Sequence, residues 1–328
     1  MSLRAGMIGG GWITRVHAPA IDAADGVDLV AACDIELARA EALAGPRGGR
    51  AYTSWEEMYE REELDLVWVC TPPLHHRAPT LAALEGGMHV YLEKPIARTV
   101  GDAEAIVAAA AAAPGTVCAV GYQWHATELL EDARRALEGQ RAGMLVGRNF
   151  GPVSGRPWFM DRAQGGGQLL ERGSHHIDLQ RAIAGDIAAV QATAASVRLA
   201  QADGPRGNIE DAITLVFHFA SGALGCVHTA WSRDGQPEVY AVDILAPDAT
   251  IALELGPDRF RITGRAGDRD LAAEYGEPMH RSIARFLDAV RADDPGAVPC
   301  TPADALATLR VALACERALE RGTVVSVP

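Results

Sequence analysis

Residues 3–34 read LRAGMIGGGWITRVHAPAIDAADGVDLVAACD. The run 3–8 predicts a strand, the triplet Gly9-Gly10-Gly11 a tight turn, and the segment from Trp12 a helix. Residues 27–33 predict the next strand, and Asp34 ends it, 23 residues after Gly11. Strand, glycines, helix, strand and acid, in that order, are the parts of a dinucleotide-binding unit. Gly9 and Gly11 match the first two glycines of G-x-G-x-x-G, and Thr14 stands where the third would be. Gly9 permits the turn. Gly11 lets a pyrophosphate approach the backbone at the positive end of the helix, whose first turn opens with Trp12 and Ile13. A glycine triplet alone is a common turn, so the weight rests on Asp34. A carboxylate there accepts hydrogen bonds from both adenosine ribose hydroxyls and repels a 2′-phosphate, which favours NAD over NADP. Arg39, a few residues on, reads as a solvated helix residue.

The same alternation continues to about residue 120. Strands are predicted at 66–70, 88–92 and 116–120. Helices are predicted at 36–43, after Ser54 with Glu57 as a capping box, up to Glu85 before Gly86-Gly87, and at 100–113 behind Thr99. Strands that are apolar throughout, alternating with helices, mean a parallel sheet covered on both faces. After Gly121 the pattern changes. Residues 211–219 alternate, with Ile213, Leu215, Phe217 and Phe219 on one face, and further strands are predicted at 190–199, 222–231, 238–246, 249–255 and 258–263. Strands in succession indicate an open antiparallel sheet with one covered face. Helices near 127–139, 173–184 and 278–292 are expected to cover it. The fold class is therefore α/β followed by α+β: a doubly wound parallel sheet over 1–121 and an open antiparallel sheet covered by helices over 122–328. A last helix, 302–320, opens at Thr301-Pro302 and is a candidate to pack back on the first domain.

Composition narrows the function. The chain has 328 residues, 48% of them hydrophobic and 22% charged, with a formal net charge of −13. An acidic chain of this kind lacks the clustered Lys and Arg that neutralise phosphates, so no nucleic acid is expected. No apolar run approaches the roughly 20 residues of a bilayer helix, and no membrane partner is expected. No secretory signal is read at the start of the chain. The cysteines Cys33, Cys70, Cys118, Cys226, Cys300 and Cys315 are scattered, with no Cys-x-x-Cys pair, which reads as reduced thiols in the cytoplasm. His75-His76 and His175-His176 with Glu171 and Asp178 lack metal-ligand spacing, and no metal is expected.

Lys94, in Glu93-Lys94-Pro95, ends the strand at 88–92. A lysine there, beside a dinucleotide, can donate to a substrate hydroxyl and stabilise a developing alkoxide. Its bland reading is a surface ion pair, and spacing alone does not separate the two. A cis peptide before Pro95 is conceivable. With these residues in view, the chain resembles the Gfo/Idh/MocA family of nicotinamide-dependent oxidoreductases. The resemblance rests on MIGGGWITRVHAPAI, VAACD, VWVCTPPLHH, ALEGGMHVYLEKPIA and GGGQLLERGSHHIDL, in the family's order along the chain. It implies an NAD-binding Rossmann domain over 1–121 and a substrate and oligomerisation domain over 122–328, a catalytic role for Lys94 in contact with substrate and cofactor, and Thr71, Pro72, His76 and Glu93 along the cofactor's edge. It implies His175 as general base, with Glu171 standing where the family usually has Asp, orienting His175 or binding a substrate hydroxyl. Gln123 and His125 follow the last Rossmann strand and are expected to reach the nicotinamide or substrate. Trp158 is expected to touch substrate, since an aromatic face stacks on a sugar ring, although an isolated Trp is more often core. The expected activity is NAD-dependent hydride transfer with a sugar, polyol or cyclitol. Alternatives on the same fold are an NAD-dependent glycosidase and a non-catalytic dinucleotide sensor. An uncovered sheet face in the second domain favours a homodimer or homotetramer.

Overall fold

A computed structural model describes residues 2–153, 156–196, 207–232, 238–255, 258–264, 267–272 and 278–328. The chain folds as two units, Met1–Ala126 with Gly276–Leu306, and Thr127–Tyr275 with Ala307–Pro328.

The first unit alternates β1 (Leu3–Ile8), α1 (Trp12–Asp22), β2 (Val27–Cys33), α2 (Leu37–Ala44), β3 (Arg50–Tyr52), α3 (Trp55–Arg61), β4 (Leu66–Val69), α4 (Arg77–Glu85), β5 (His89–Leu92), α5 (Val100–Ala112) and β6 (Cys118–Val120). Among the described residues these strands form a six-stranded sheet in the order β3-β2-β1-β4-β5-β6. Every pairing is parallel. The order reverses between β1 and β4, so the crevice for a ligand opens at their C-terminal ends, where Gly9 and Thr71 lie. Local chemistry sets the helix ends as the residues suggest. Ser54 accepts from the Glu57 N–H and Thr99 from the Asp102 N–H, and Gly87, at φ 78°, turns the chain out of α4.

The second unit contains α6 (Glu128–Ala136), β7 (Met144–Pro152), the short α7 (Arg162–Gly165), a π-helical turn (Leu169–Gly173), α8 (Ser174–Ala184), β8 (Ile187–Ala195), β9 (Ala212–Phe219), β10 (Leu224–Ser232), β11 (Val239–Ala246), β12 (Ala249–Leu255), β13 (Asp258–Gly264) and β14 (Arg269–Ala272). With β15 (Val325–Ser326) they make a nine-stranded sheet ordered β14-β13-β12-β11-β7-β10-β9-β8-β15 among the described residues. It is antiparallel apart from β7 against β10, which run parallel and make the sheet mixed. The strand expected at 190–199 is seen from 187 to 195, and its last three positions lie outside the described residues.

One helix belongs elsewhere than its place in the sequence suggests. The helix α9 (Pro278–Ala292) joins the core of the first unit and not the second sheet. Its apolar stripe, Ile283, Phe286, Leu287 and Val290, is buried with Trp68 and Tyr91 of β4 and β5. Phe286 meets both aromatic rings edge-on at 5.9 and 5.5 Å, and the Tyr91 hydroxyl lies 2.9 Å from the Ser282 hydroxyl. Sequence order assigned α9 to the strands that precede it, whereas the aromatic faces of the Rossmann sheet supply its partners. The last helix, α10 (Pro302–Arg321), begins in the first unit and continues in the second, with Thr301 capping it through the Asp304 N–H.

Candidate active site

In the first unit the loop after β1 is shaped by close approach. Gly9 has φ 97°, and a Cβ there would stand 2.6 Å from the Cys70 carbonyl oxygen. Gly11 is the N-cap of α1, with an extended backbone, no side-chain cap, and open space where a Cβ would project. The first turn, from Trp12 and Ile13, carries no acidic residue. An uncapped helix start facing open space fits the pyrophosphate of a dinucleotide, which takes up N–H groups the helix cannot satisfy itself. Thr14, in place of a third glycine, is buried and donates its hydroxyl to the Gly9 carbonyl, bracing the loop from below.

Asp34 is drawn into the same loop. Its carboxylate accepts the Gly10 N–H at 2.6 Å and the Glu36 N–H at 2.9 Å, one on each oxygen. A carboxylate has about four lone-pair positions, so two remain for ribose hydroxyls. Arg39 is ion-paired with Glu36 at 2.8 Å and is partly exposed, as a surface helix residue.

Beyond β4, Thr71 carries a buried hydroxyl with no hydrogen-bond partner among the described residues. A buried hydroxyl without a partner asks for a ligand group. Pro72, half-buried, continues that edge. His76 is fully buried. Its Nε2 lies 2.8 Å from the Thr71 carbonyl and its Nδ1 3.0 Å from the Pro95 carbonyl. Burial holds its imidazole below the usual histidine range. The ring ties the loop after β4 to the loop after β5.

That second loop carries Lys94, at the C-terminal end of β5, followed by a cis peptide to Pro95. Glu93 before it is buried. One carboxylate oxygen accepts the Lys94 N–H at 3.1 Å, and the other lies 3.1 Å from His17 Nε2. Burial pushes Glu93 up, but the hydrogen bond and charge of His17, with Lys94, outweigh it and hold the carboxyl below its ordinary value. Gln123 is half-buried in the 3-10 turn after β6, and in that turn His125 Nδ1 lies 2.9 Å from the Pro299 carbonyl.

In the second unit the chemistry gathers where the π-helical turn meets α8. Such turns recur at functional sites. Glu171 lies within it and forms an ion pair with Arg156 at 3.5 Å, while the Arg156 guanidinium sits 5.9 Å from the Trp158 ring. Trp158 leans on the buried cluster Phe159, Met160, Ile209 and Trp231 and keeps part of its surface exposed. His175 is 8% exposed, in the first turn of α8. Tyr240, on β11, meets His175 edge-on at 6.1 Å and stacks on His176 at 4.4 Å. His176 is fully buried, and burial pushes its imidazole down to about 3, so it is neutral packing. Arg172 donates to the Asn149 side chain at 2.7 Å, binding the π turn to β7. Asp178, also buried, accepts from Thr308 of α10.

The sequence reading did not find His17, Arg156, Arg172 or Tyr240. Arg156, Arg172 and Tyr240 reach the site region through long-range packing and carry no local motif. His17 does stand at a fixed step from the glycines, yet only the fold shows that it meets Glu93. Among the described residues no group of three His, Cys, Asp or Glu could hold a metal ion. No described helix is long and apolar enough to cross a membrane.

Two family descriptions match the chain. Residues 3–122 match the oxidoreductase family with an NAD-binding Rossmann fold, and residues 141–268 match the GFO/IDH/MocA C-terminal domain. The chain is 26% identical to 1,5-anhydro-D-fructose reductase of Ensifer adhaerens, with 99% of this chain and 98% of that protein covered. It is 23% identical to myo-inositol 2-dehydrogenase of Thermotoga maritima, with 97% and 96% covered. Among solved structures, levoglucosan dehydrogenase in complex with NADH and levoglucosan superimposes with a TM-score of 0.89 at 21% identity, over the full length of both chains.

Proposed function

The chain belongs to the Gfo/Idh/MocA family of NAD-binding oxidoreductases, and from that premise we propose that it transfers hydride between NAD and a hydroxyl-bearing carbon of a sugar, polyol or cyclitol. The observation that carries this reading is Lys94 at the mouth of a doubly wound sheet, its N–H held by the buried Glu93 carboxylate. Bound NAD supplies the hydride acceptor, and NADH the donor in the reverse direction.

The chain's own residues do the rest. Gly9, Gly11, Trp12 and Ile13 offer backbone to the pyrophosphate. Asp34 takes the adenosine ribose and disfavours NADP. Thr71, Pro72 and Gln123 line the nicotinamide edge, while His76 and Glu93 fix the loops that carry it. Lys94 donates to the reacting oxygen and steadies the negative charge that grows there as the C–H bond breaks. His175 accepts the hydroxyl proton. Glu171, neutralised by Arg156, binds a substrate hydroxyl or orients His175, and the exposed part of Trp158 supports a sugar face. The relatives named above act on sugars and a cyclitol by their names, and that range supports the substrate class.

Two further points belong to this reading. Leu224, Met144 and Leu245 are 46%, 41% and 41% exposed and stand in register on three adjacent strands, β10, β7 and β11. A second copy of the chain covers this row in a homodimer or homotetramer; sedimentation of a monomer at micromolar concentration would remove that. The cysteines are all free, which supports a reducing cytoplasm. The activity itself is tested with myo-inositol, levoglucosan, D-apiose and, with NADH, 1,5-anhydro-D-fructose, following NADH absorbance. Change with at least one of them is the expected result. Release of aglycone from glycosides without net NADH would point instead to a glycosidase. Tight NAD binding with no turnover on any of them would point to a sensor.

A further inference from the structure

His17, on α1, is fully buried and touches three residues of β4 and β5 and the loops that follow them. Its Nε2 lies 3.1 Å from Glu93, its Nδ1 lies 4.0 Å from the Cys70 thiol, and its ring packs edge-on against Tyr91 at 5.5 Å. With no exposure, it cannot itself meet a ligand. Burial pushes the Cys70 thiol well up, so the sulfur keeps its proton and is no base toward Nδ1. Nε2 is thus the ring nitrogen that faces the Glu93 carboxylate. The other Glu93 oxygen accepts the Lys94 N–H at 3.1 Å. Gly121, at the end of β6, keeps this place open, since a Cβ there would stand 3.1 Å from the His17-facing oxygen. Helix α1, which begins at the glycine loop, is thus joined to the backbone of Lys94 by one buried carboxylate.

From this chain of contacts we infer that His17 is a positioning residue for Lys94, acting through Glu93; the inference rests on Lys94 being the residue that meets the reacting hydroxyl. Without the His17 imidazole 3.1 Å away, Glu93 is a buried carboxylate that has lost a polar neighbour, a state proteins avoid by moving the group or neutralising it. Either response releases the Lys94 N–H and shifts the ammonium that follows it. The dinucleotide loop keeps its own bonds, Gly9 N–H to the Cys33 carbonyl and Gly10 N–H to Asp34, so coenzyme affinity should be spared.

The test measures kcat and KM for levoglucosan and for myo-inositol, NAD affinity by calorimetry, and the thermal midpoint. These are taken on His17→Leu, His17→Gln, Lys94→Ala and the double variant His17→Leu/Lys94→Ala. A misplacement on the order of 1 Å at a catalytic group costs about a hundredfold, so His17→Leu should lower kcat by about ten- to a hundredfold. NAD affinity should stay within about threefold, because the bonds that hold the glycine loop and Asp34 are not touched. Gln, whose terminal amide can donate from near the Nε2 position, should restore most of kcat. In the Lys94→Ala background His17→Leu should change kcat by less than about twofold, because the two act as one unit. Equal losses in both backgrounds, no rescue by folded His17→Gln, or a fall in NAD affinity that accounts for the loss would each overturn the inference. Should His17→Leu fail to fold, His17→Asn, whose shorter amide does not reach the Nε2 position, takes its place in the same two backgrounds with the same expected and overturning results. Parent-like kcat in Lys94→Ala alone is a separate result: it removes the catalytic role of Lys94, and the inference with it.

Discussion

Gly9 and Gly11 stand two residues apart, and alanine should harm them in opposite ways. At Gly9 the backbone has φ 97°, and the new Cβ would lie 2.6 Å from the Cys70 carbonyl oxygen and 2.8 Å from its carbon. Holding an L-residue in a disfavoured backbone region costs about 1–3 kcal/mol, and relieving the overlap costs about 1–3 kcal/mol more. The sum, about 2–6 kcal/mol, is a large part of a domain's stability of about 5–15 kcal/mol. At 2–4 °C per kcal/mol it should lower the melting temperature by roughly 5–20 °C. At Gly11 a Cβ meets nothing and φ is −74°. Alanine there should change stability by no more than about 1 kcal/mol, the scale of an N-cap replacement. The methyl group instead occupies the space in front of α1. Each charge-assisted hydrogen bond it displaces is worth about 1.5–3 kcal/mol, so NAD affinity should fall by about ten- to a hundredfold. Thermal unfolding and calorimetric titration with NAD read both effects on each variant. The reasoning is refuted if Gly9→Ala melts with the parent, or if Gly11→Ala binds NAD as the parent does.

Asp34→Ser should narrow the gap between NAD and NADP affinities, and the unaltered protein should bind NAD much the more tightly; equal affinities in the parent would remove Asp34 from the ribose. His175→Ala should slow oxidation far more than Glu171→Gln, since one deletes the proton acceptor and the other only a charge already paired with Arg156; steady-state rates on the best substrate decide between them. Acid should destabilise the protein through buried histidines. The His176 imidazole lies at about 3 in the folded chain against 6.5 as its ordinary value, so the unfolded chain binds more protons between those limits. Its stabilising share is fully present above about 6.5 and is lost as pH falls toward 3, with His76 acting in the same direction. Between pH 7 and 5 the His176 share amounts to about 2 kcal/mol, so denaturant unfolding of His176→Phe should show a correspondingly flatter pH dependence than the parent.

Much of the first unit could be read before any coordinates, because its signals are local. The order strand, Gly9 to Gly11, helix, strand, Asp34 needs only short-range geometry, and Ser54, Thr99 and Thr301 cap the helices that follow them. The alternation of β9 was equally plain, with Ile213, Leu215, Phe217 and Phe219 buried. By contrast, β7 escaped notice although it lies inside the nine-stranded sheet. Its glycines lower strand propensity, yet Gly147 is there because α8 lies close: a Cβ would meet His176 Nδ1 at 2.8 Å. The π turn that carries Glu171 has no sequence signature comparable to a cap. The pairings of His17 with Glu93 and of Arg156 with Glu171 depend on which strands and loops become neighbours. Residue type nominated one member of each pair, and only tertiary packing supplied the other.

The central claim is that Lys94 meets the reacting oxygen and is not a ligand of the dinucleotide. It is tested most directly by Lys94→Ala, with kcat on a turned-over sugar or cyclitol at saturating NAD set beside the NAD dissociation constant of the same protein. The account expects kcat to fall by orders of magnitude while NAD affinity stays close to the parent's, because the interaction strengthens only as alkoxide character develops. Normal kcat at saturating NAD together with lost NAD affinity would contradict it.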